Sequence, residues 1–160
     1  MTILTANLRS GSLILGDIRY PISCNVRQVK NGQRRRDEVI YSIPDKLPYD
    51  PQPFPPGLWE INGIEWQSEH KFDGNVYGPV KIRTNAFQAV KVWTLDKDGD
   101  YLQETKDEVL DHGYLLHYSE SRSTLGCIRI GSAKEAILLA KFIQILFDQK
   151  EGVFLQVVYD

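Results

Sequence analysis

The sequence predicts a mainly β fold of mostly antiparallel strands with one substantial α-helix, and three observations point to the class. Short runs of branched and aromatic residues separated by turn residues occupy 12–14, 20–26, 38–42, 58–61, 80–83 and 89–95, which is the pattern of strands. A single longer stretch, Ser132 to Phe147, carries helical periodicity. With 160 residues, 42% of them hydrophobic and 25% charged, the chain can close one core, so 1–160 reads as one domain.

Met1 to Arg9 lacks the basic head, long apolar run and small-residue cleavage site of a secretory signal peptide. No stretch reaches the roughly 18 apolar residues of a membrane span. The expectation is a chain made in the cytoplasm and not exported by the ordinary route. Asn31-Gly32 reads as a hairpin tip joining the strand around Ile22 to the one around Val39, and Asp98-Gly99 as another joining Val92 to Tyr101. Between Tyr49 and Gly57 four prolines, which cannot donate ladder hydrogen bonds, predict a stiff surface arm. Ser132 and Glu135 fit a capping box, and Ala136, Ile137, Ala140, Ile143 and Phe147 form the stripe that packs on the sheet. Gly152 breaks the helix, and Val153 to Tyr159 reads as a closing strand buried on both faces.

The segment from Asp111 to Gly131 carries chemistry. An apolar strand, Tyr114 to Leu116, ends in His117; after a loop of nine residues that ends in Gly126 comes Cys127, just ahead of the capped helix. A free thiol with pKa about 8.5 is mostly protonated at neutral pH, so a nucleophilic cysteine needs a base. His117 is the candidate. Gly126 permits a tight turn whose amides can face an oxyanion, and Arg129 shares a strand face with Cys127 if the stretch is extended. The plainer reading is a buried small hydrophobe and a hydrogen-bonded structural histidine.

The order His117, polar loop, Thr124-Leu125-Gly126-Cys127-Ile128-Arg129 resembles the signature of the L,D-transpeptidase family of the YkuD type, cysteine enzymes that remodel bacterial peptidoglycan. The likeness extends upstream to Arg19–Ser23, Pro55–Ile61 and Tyr77–Ile82. Leu125 stands where most members have a second histidine, and the loop is short. Both departures resemble the branch of type VI secretion effectors, toxins with L,D-carboxypeptidase and D-amino-acid exchange activity.

The resemblance implies an L,D-transpeptidase-like β-sandwich with the substantial helix after the cysteine, Cys127 as nucleophile, His117 as general base and then acid, and the Gly126 and Cys127 amides as oxyanion hole. Arg129, Thr124 and Tyr118 are the substrate-binding candidates. It implies no cofactor, peptidoglycan stem peptides as substrate, a periplasmic or cell-wall site of action that is a target bacterium's in the effector branch, and an immunity protein or secretion carrier as partner. The group orienting His117 stays open among a backbone carbonyl, Ser119, Glu120 and Asp111. A catalytically silent cell-wall-binding or phage structural module is the alternative. Retention of both His117 and Cys127 argues against it, and a papain-type hydrolase ranks lower still because its cysteine precedes its histidine.

Other features read as structural. Nineteen basic and 21 acidic side chains leave a net charge of -2, which argues against nucleic acid as a partner. Arg34-Arg35-Arg36 is offset by Asp37-Glu38 and reads as a solvated strand edge. Asp96 to Asp100 lacks the glycine and glutamate spacing of a calcium loop, and His70, His112 and His117 lack ligand spacing, so no metal is expected. Trp59, Trp66 and Trp93 are expected in the core, and Cys24 as a buried filler, with a disulfide to Cys127 left open.

Overall fold

The computed structural model describes side chains for residues 1–24, 54–67, 78–88, 114–119 and 127–160. It describes backbone alone for strand residues 25–26, 29–30, 33–36, 39–42, 90–91, 94–95, 101–102, 108–109, 112–113 and 123–124. In chain order the early elements are β1 (Thr2–Asn7), β2 (Ser12–Leu15), β3 (Ile18–Ser23), β4 (Asn25–Val26), β5 (Val29–Lys30), β6 (Gln33–Arg36) and β7 (Val39–Ser42). Next come β8 (Gly57–Trp66), β9 (Val80–Ala86), β10 (Val90–Lys91), β11 (Thr94–Leu95), β12 (Tyr101–Leu102) and β13 (Glu108–Val109). The last are β14 (His112–His117), β15 (Ser123–Thr124), β16 (Ile128–Ile130), α1 (Ala133–Asp148) and β17 (Val153–Val158).

The class is mainly β with one helix among the described residues, as expected, but where a sandwich is expected eight strands close a barrel in the order β1-β17-β8-β9-β14-β16-β3-β2. The closure comes from β1, which pairs in parallel with β17 over six residues, Thr2↔Val153 to Asn7↔Val158, and on its other side antiparallel with β2. First and last strands thus satisfy each other's edges. Sequence reasoning misses β1, because its alternation of Ile3 with Leu4 and threonines is short and the partner lies at the far end of the chain.

One apolar face runs round the ring. Leu4, Leu155 and Trp59 align laterally through the registers β1/β17/β8, and Ile82, Leu116 and Ile128 through β9/β14/β16; all six are fully buried. Helix α1 contacts β9, β16 and β17, strands that are not neighbours in the ring, and its buried Ala136, Leu139, Ala140 and Ile143 join the same core. It therefore covers the barrel interior instead of lying along the outer wall, with Leu138 and Phe142 facing solvent. Leu139 takes the buried position in the stripe that the sequence assigns to Ile137 and Phe147, which are only half-buried. The cap forms as expected: the Glu135 amide donates to Ser132 Oγ at 3.1 Å, and that hydroxyl donates to Glu135 Oε1 at 2.9 Å.

Five other expectations need correction. The proline-rich arm is not all surface, since Phe54 and Pro55 at its end are buried. Phe54 packs edge-on against Trp59 at 4.7 Å and against Tyr114 at 5.0 Å, its carbonyl accepts from Tyr159 Oη at 2.6 Å, and Trp59 Nε1 donates to the Pro55 carbonyl at 3.0 Å. Residues 31–32 lie outside the described ones, between the antiparallel β5 and β6, while the Ile22 strand pairs with β2 and β16; β6, with Arg34 to Arg36, is the central strand of β5-β6-β7 and not an edge. Of the tryptophans, Trp59 is core and Trp66 is 46% exposed, while Trp93 lies outside the described side chains. The closing strand buries only Val153, Leu155 and Val157, with the alternate residues half-buried. The 98–99 turn does join antiparallel strands, β11 and β12, though its own residues lie outside the described ones, as do 49–53 and His70.

Candidate active site

The site is built by β14 and β16, which run parallel and adjacent with Leu116 opposite Ile128 and His117 opposite Arg129. Side chains alternate across a strand, so with Leu116 and Ile128 turned into the core, His117 and Arg129 take the outer face. Cys127 immediately precedes β16 and falls beside Leu115, whose backbone hydrogen-bonds its thiol. His117 and Cys127 are therefore diagonal neighbours on one face of two adjacent strands, a separation of roughly 7 Å between α-carbons that side chains can close. Arg129 shares the face with Cys127, as the sequence suggests.

On this outer face the two candidate residues are buried, while Leu115 and Arg129 beside them are half-buried. His117 is 4% exposed, Cys127 8% and Ser119 3%. Burial pushes the Cys127 thiol up to about 11, with the Leu115 hydrogen bond pulling weakly the other way. His117 is held below its ordinary value, first by burial and then by the positive charges of Lys81 and Arg129, against the raising effect of its hydrogen bond to the Tyr118 backbone. At neutral pH both partners are uncharged.

The orienting group for His117 is a backbone carbonyl. Nδ1 lies 3.3 Å from the Tyr118 oxygen, which can only accept, so Nδ1 carries the proton and the neutral ring keeps its lone pair on Nε2. Gly78 makes this carbonyl's position possible: its φ is +67°, and a Cβ there would overlap the Tyr118 oxygen. Sequence reasoning offers no route to that pairing, which joins a turn before β9 to the end of β14. Ser119 serves differently, its carbonyl accepting from Arg129 Nε at 2.7 Å, while the Arg129 guanidinium lies 5.0 Å above the Tyr118 ring. Tyr118 and Arg129 thus come together beside His117.

Strand β15 pairs in parallel with β4, placing the Thr124 backbone opposite Val26. The side chain of Thr124 lies outside the described residues, as do Leu125, Gly126, Glu120 and Asp111, so the glycine half of the expected oxyanion hole falls there too. Neither Cys24 nor Cys127 is in a disulfide. The β3/β16 register sets Ser23 opposite Arg129, which puts Cys24 on the inner face with Ile128 and Cys127 on the outer, so the fold as it stands cannot bridge them. Cys24 Sγ instead accepts from the Phe54 amide at 3.4 Å.

Among the described residues no group of three His, Cys, Asp or Glu side chains could hold a metal ion, and no helix is long and apolar enough to cross a membrane. No family model matches the chain, and no curated protein or solved structure matches it.

Proposed function

We propose that the protein is a cysteine-dependent enzyme of the L,D-transpeptidase type that acts on peptidoglycan stem tetrapeptides. The observation that carries this reading is the shared outer face of His117 and Cys127 on adjacent parallel strands, with the His117 tautomer set by the Tyr118 carbonyl. Cys127 attacks the carbonyl of the diaminopimelate residue while His117 Nε2 takes the thiol proton, and the returning proton leaves with D-alanine as the acyl-enzyme forms. Because both groups rest neutral, deprotonation accompanies attack; the site does not store a thiolate.

Water completes a carboxypeptidase cycle, a free D-amino acid an exchange, and a neighbouring stem amine a 3-3 cross-link. The effector reading favours the first two, with action in the periplasm of a target cell and an immunity protein as the natural partner. A silent binding module is the second reading, favoured by the burial of Cys127.

Muropeptide chromatography after directing the protein to the periplasm of a sensitive bacterium separates the outcomes. The expected result is toxicity with tetrapeptide trimmed to tripeptide or exchanged. Cross-linked dimers rising in healthy cells would mark a biosynthetic transpeptidase instead, and unchanged muropeptides a silent module.

A further inference from the structure

Following the registers across the outer face through His117 gives a single lateral row over five strands: Glu65 on β8, Lys81 on β9, His117 on β14, Arg129 on β16 and Ser23 on β3. The candidate base is thus bracketed by cations, at the roughly 4.8 Å spacing of neighbouring strands. Both cations press against a proton on its ring. Such a bracket opposes the imidazolium that catalysis must form, unless something negative enters with the substrate.

The surroundings suit that role. Arg129 spends Nε on the Ser119 carbonyl and is steadied by the Tyr118 ring, which leaves four of the five guanidinium N–H donors beyond that bond. Glu65 is ion-paired with Arg83 and lies 3.8 Å from Lys81, whose side chain is 19% exposed. Arg83 can therefore hold Glu65 while Lys81 turns to a second carboxylate. A peptide ending one residue beyond its scissile carbonyl carries its terminal carboxylate about 4 Å of chain away, and the row begins two residues, roughly 7 Å, along the strands from Cys127, a gap that the long Lys81 and Arg129 side chains can close.

We propose that Lys81 and Arg129 form the binding pair for a free C-terminal carboxylate one residue beyond the scissile bond, and that this anion completes the electrostatics of His117. The proposal rests on the stem-peptide reading and deepens it: Lys81 becomes a specificity residue that confines the enzyme to peptides with an unblocked end. Substrate binding then raises the basicity of His117 at the moment it is needed; Glu65 and Arg83 are the charged groups beside Lys81, and Glu60 on β8 and Arg19 on β3 lie further along the same face.

The test uses Cys127→Ala protein, which cannot turn over, and reads the His117 ring by NMR during titration with L-Ala-γ-D-Glu-diaminopimelate-D-Ala or its C-terminal amide. The free acid should bind about tenfold tighter than the amide, as expected for a charge-assisted carboxylate contact, and should shift the His117 titration upward. Lys81→Met and Lys81→Gln should each erase the preference, and Lys81→Arg should keep it. Equal binding of acid and amide, no binding of either, or a preference that survives in a folded Lys81→Met or Lys81→Gln protein overturns the pair. Failure of the parent reading looks different: intact protein that releases no D-alanine, while the acid preference and its dependence on Lys81 persist.

Discussion

The inner and outer faces of β14 and β16 both hide side chains from water, and they are made of opposite materials. Inside, Leu116, Ile128 and Ile130 belong to the apolar core and supply burial that stabilises the barrel. Outside, His117 and Cys127 sit beside Lys81 and Arg129, where burial works against their charged forms and adds little hydrophobic gain. A buried apolar face explains itself through stability. A buried polar face with its imidazole tautomer fixed and its cations in register does not, and that difference is the physical ground for placing chemistry there.

The largest contrast to expect is in thiol reactivity. With Cys127 near 11 and not paired to an imidazolium, its alkylation by iodoacetamide should climb about tenfold per pH unit, roughly a thousandfold from pH 6 to pH 9, with no acidic plateau. Mass-resolved labelling separates Cys127 from Cys24. A plateau below pH 7 would reveal a stored thiolate–imidazolium pair and collapse the neutral-dyad account.

Stability sharpens the same contrast. Leu116→Ala, on the inner face, should cost about 3 kcal/mol in urea unfolding through the cavity it leaves. Cys127→Ala, one strand over and on the outer face, should cost about 1 kcal/mol or less, since it removes a single small group. It should also remove part of the alkaline sensitivity. The folded thiol's raised pKa means its contribution is complete below the unfolded value near 9 and is lost as pH rises from there through about 11. Equal costs for the two substitutions would erase the distinction between the faces.

How much of this the sequence discloses follows from how local each signal is. Helix α1 is legible because Ser132, Glu135 and the apolar stripe lie within one continuous segment. His117 and Cys127 are legible as residue types in a known order. Their placement on one face of adjacent strands is not, because it depends on a parallel register between strands separated by a loop, and parallel pairing leaves no turn to read. Barrel closure is hidden for the same reason, with β1 and β17 separated by nearly the whole chain. Phe54 is misread because proline richness signals an exposed arm, whereas its ring fills a gap between Trp59 and Tyr114 that only the tertiary fold creates.

A smaller effect probes the support behind the outer face. Gly78→Ala places a Cβ against the Tyr118 carbonyl at a positive φ, so it should cost about 1–2 kcal/mol and loosen the carbonyl that fixes the His117 ring. Two-dimensional NMR of the imidazole should then show the Nδ1 proton shared with Nε2. An unchanged tautomer would assign the orientation of His117 to a different neighbour.

The central claim is that Cys127 forms an acyl-enzyme with His117 as its base, and intact-mass spectrometry during incubation with disaccharide-tetrapeptide tests it most directly. The account predicts D-alanine release, with a mass increase equal to the donor acyl group that maps to Cys127. Both signals should vanish in Cys127→Ala, and His117→Ala should slow their appearance by orders of magnitude while the protein stays folded. D-alanine release that persists in Cys127→Ala, or wild-type protein that releases none and carries no adduct, would contradict it.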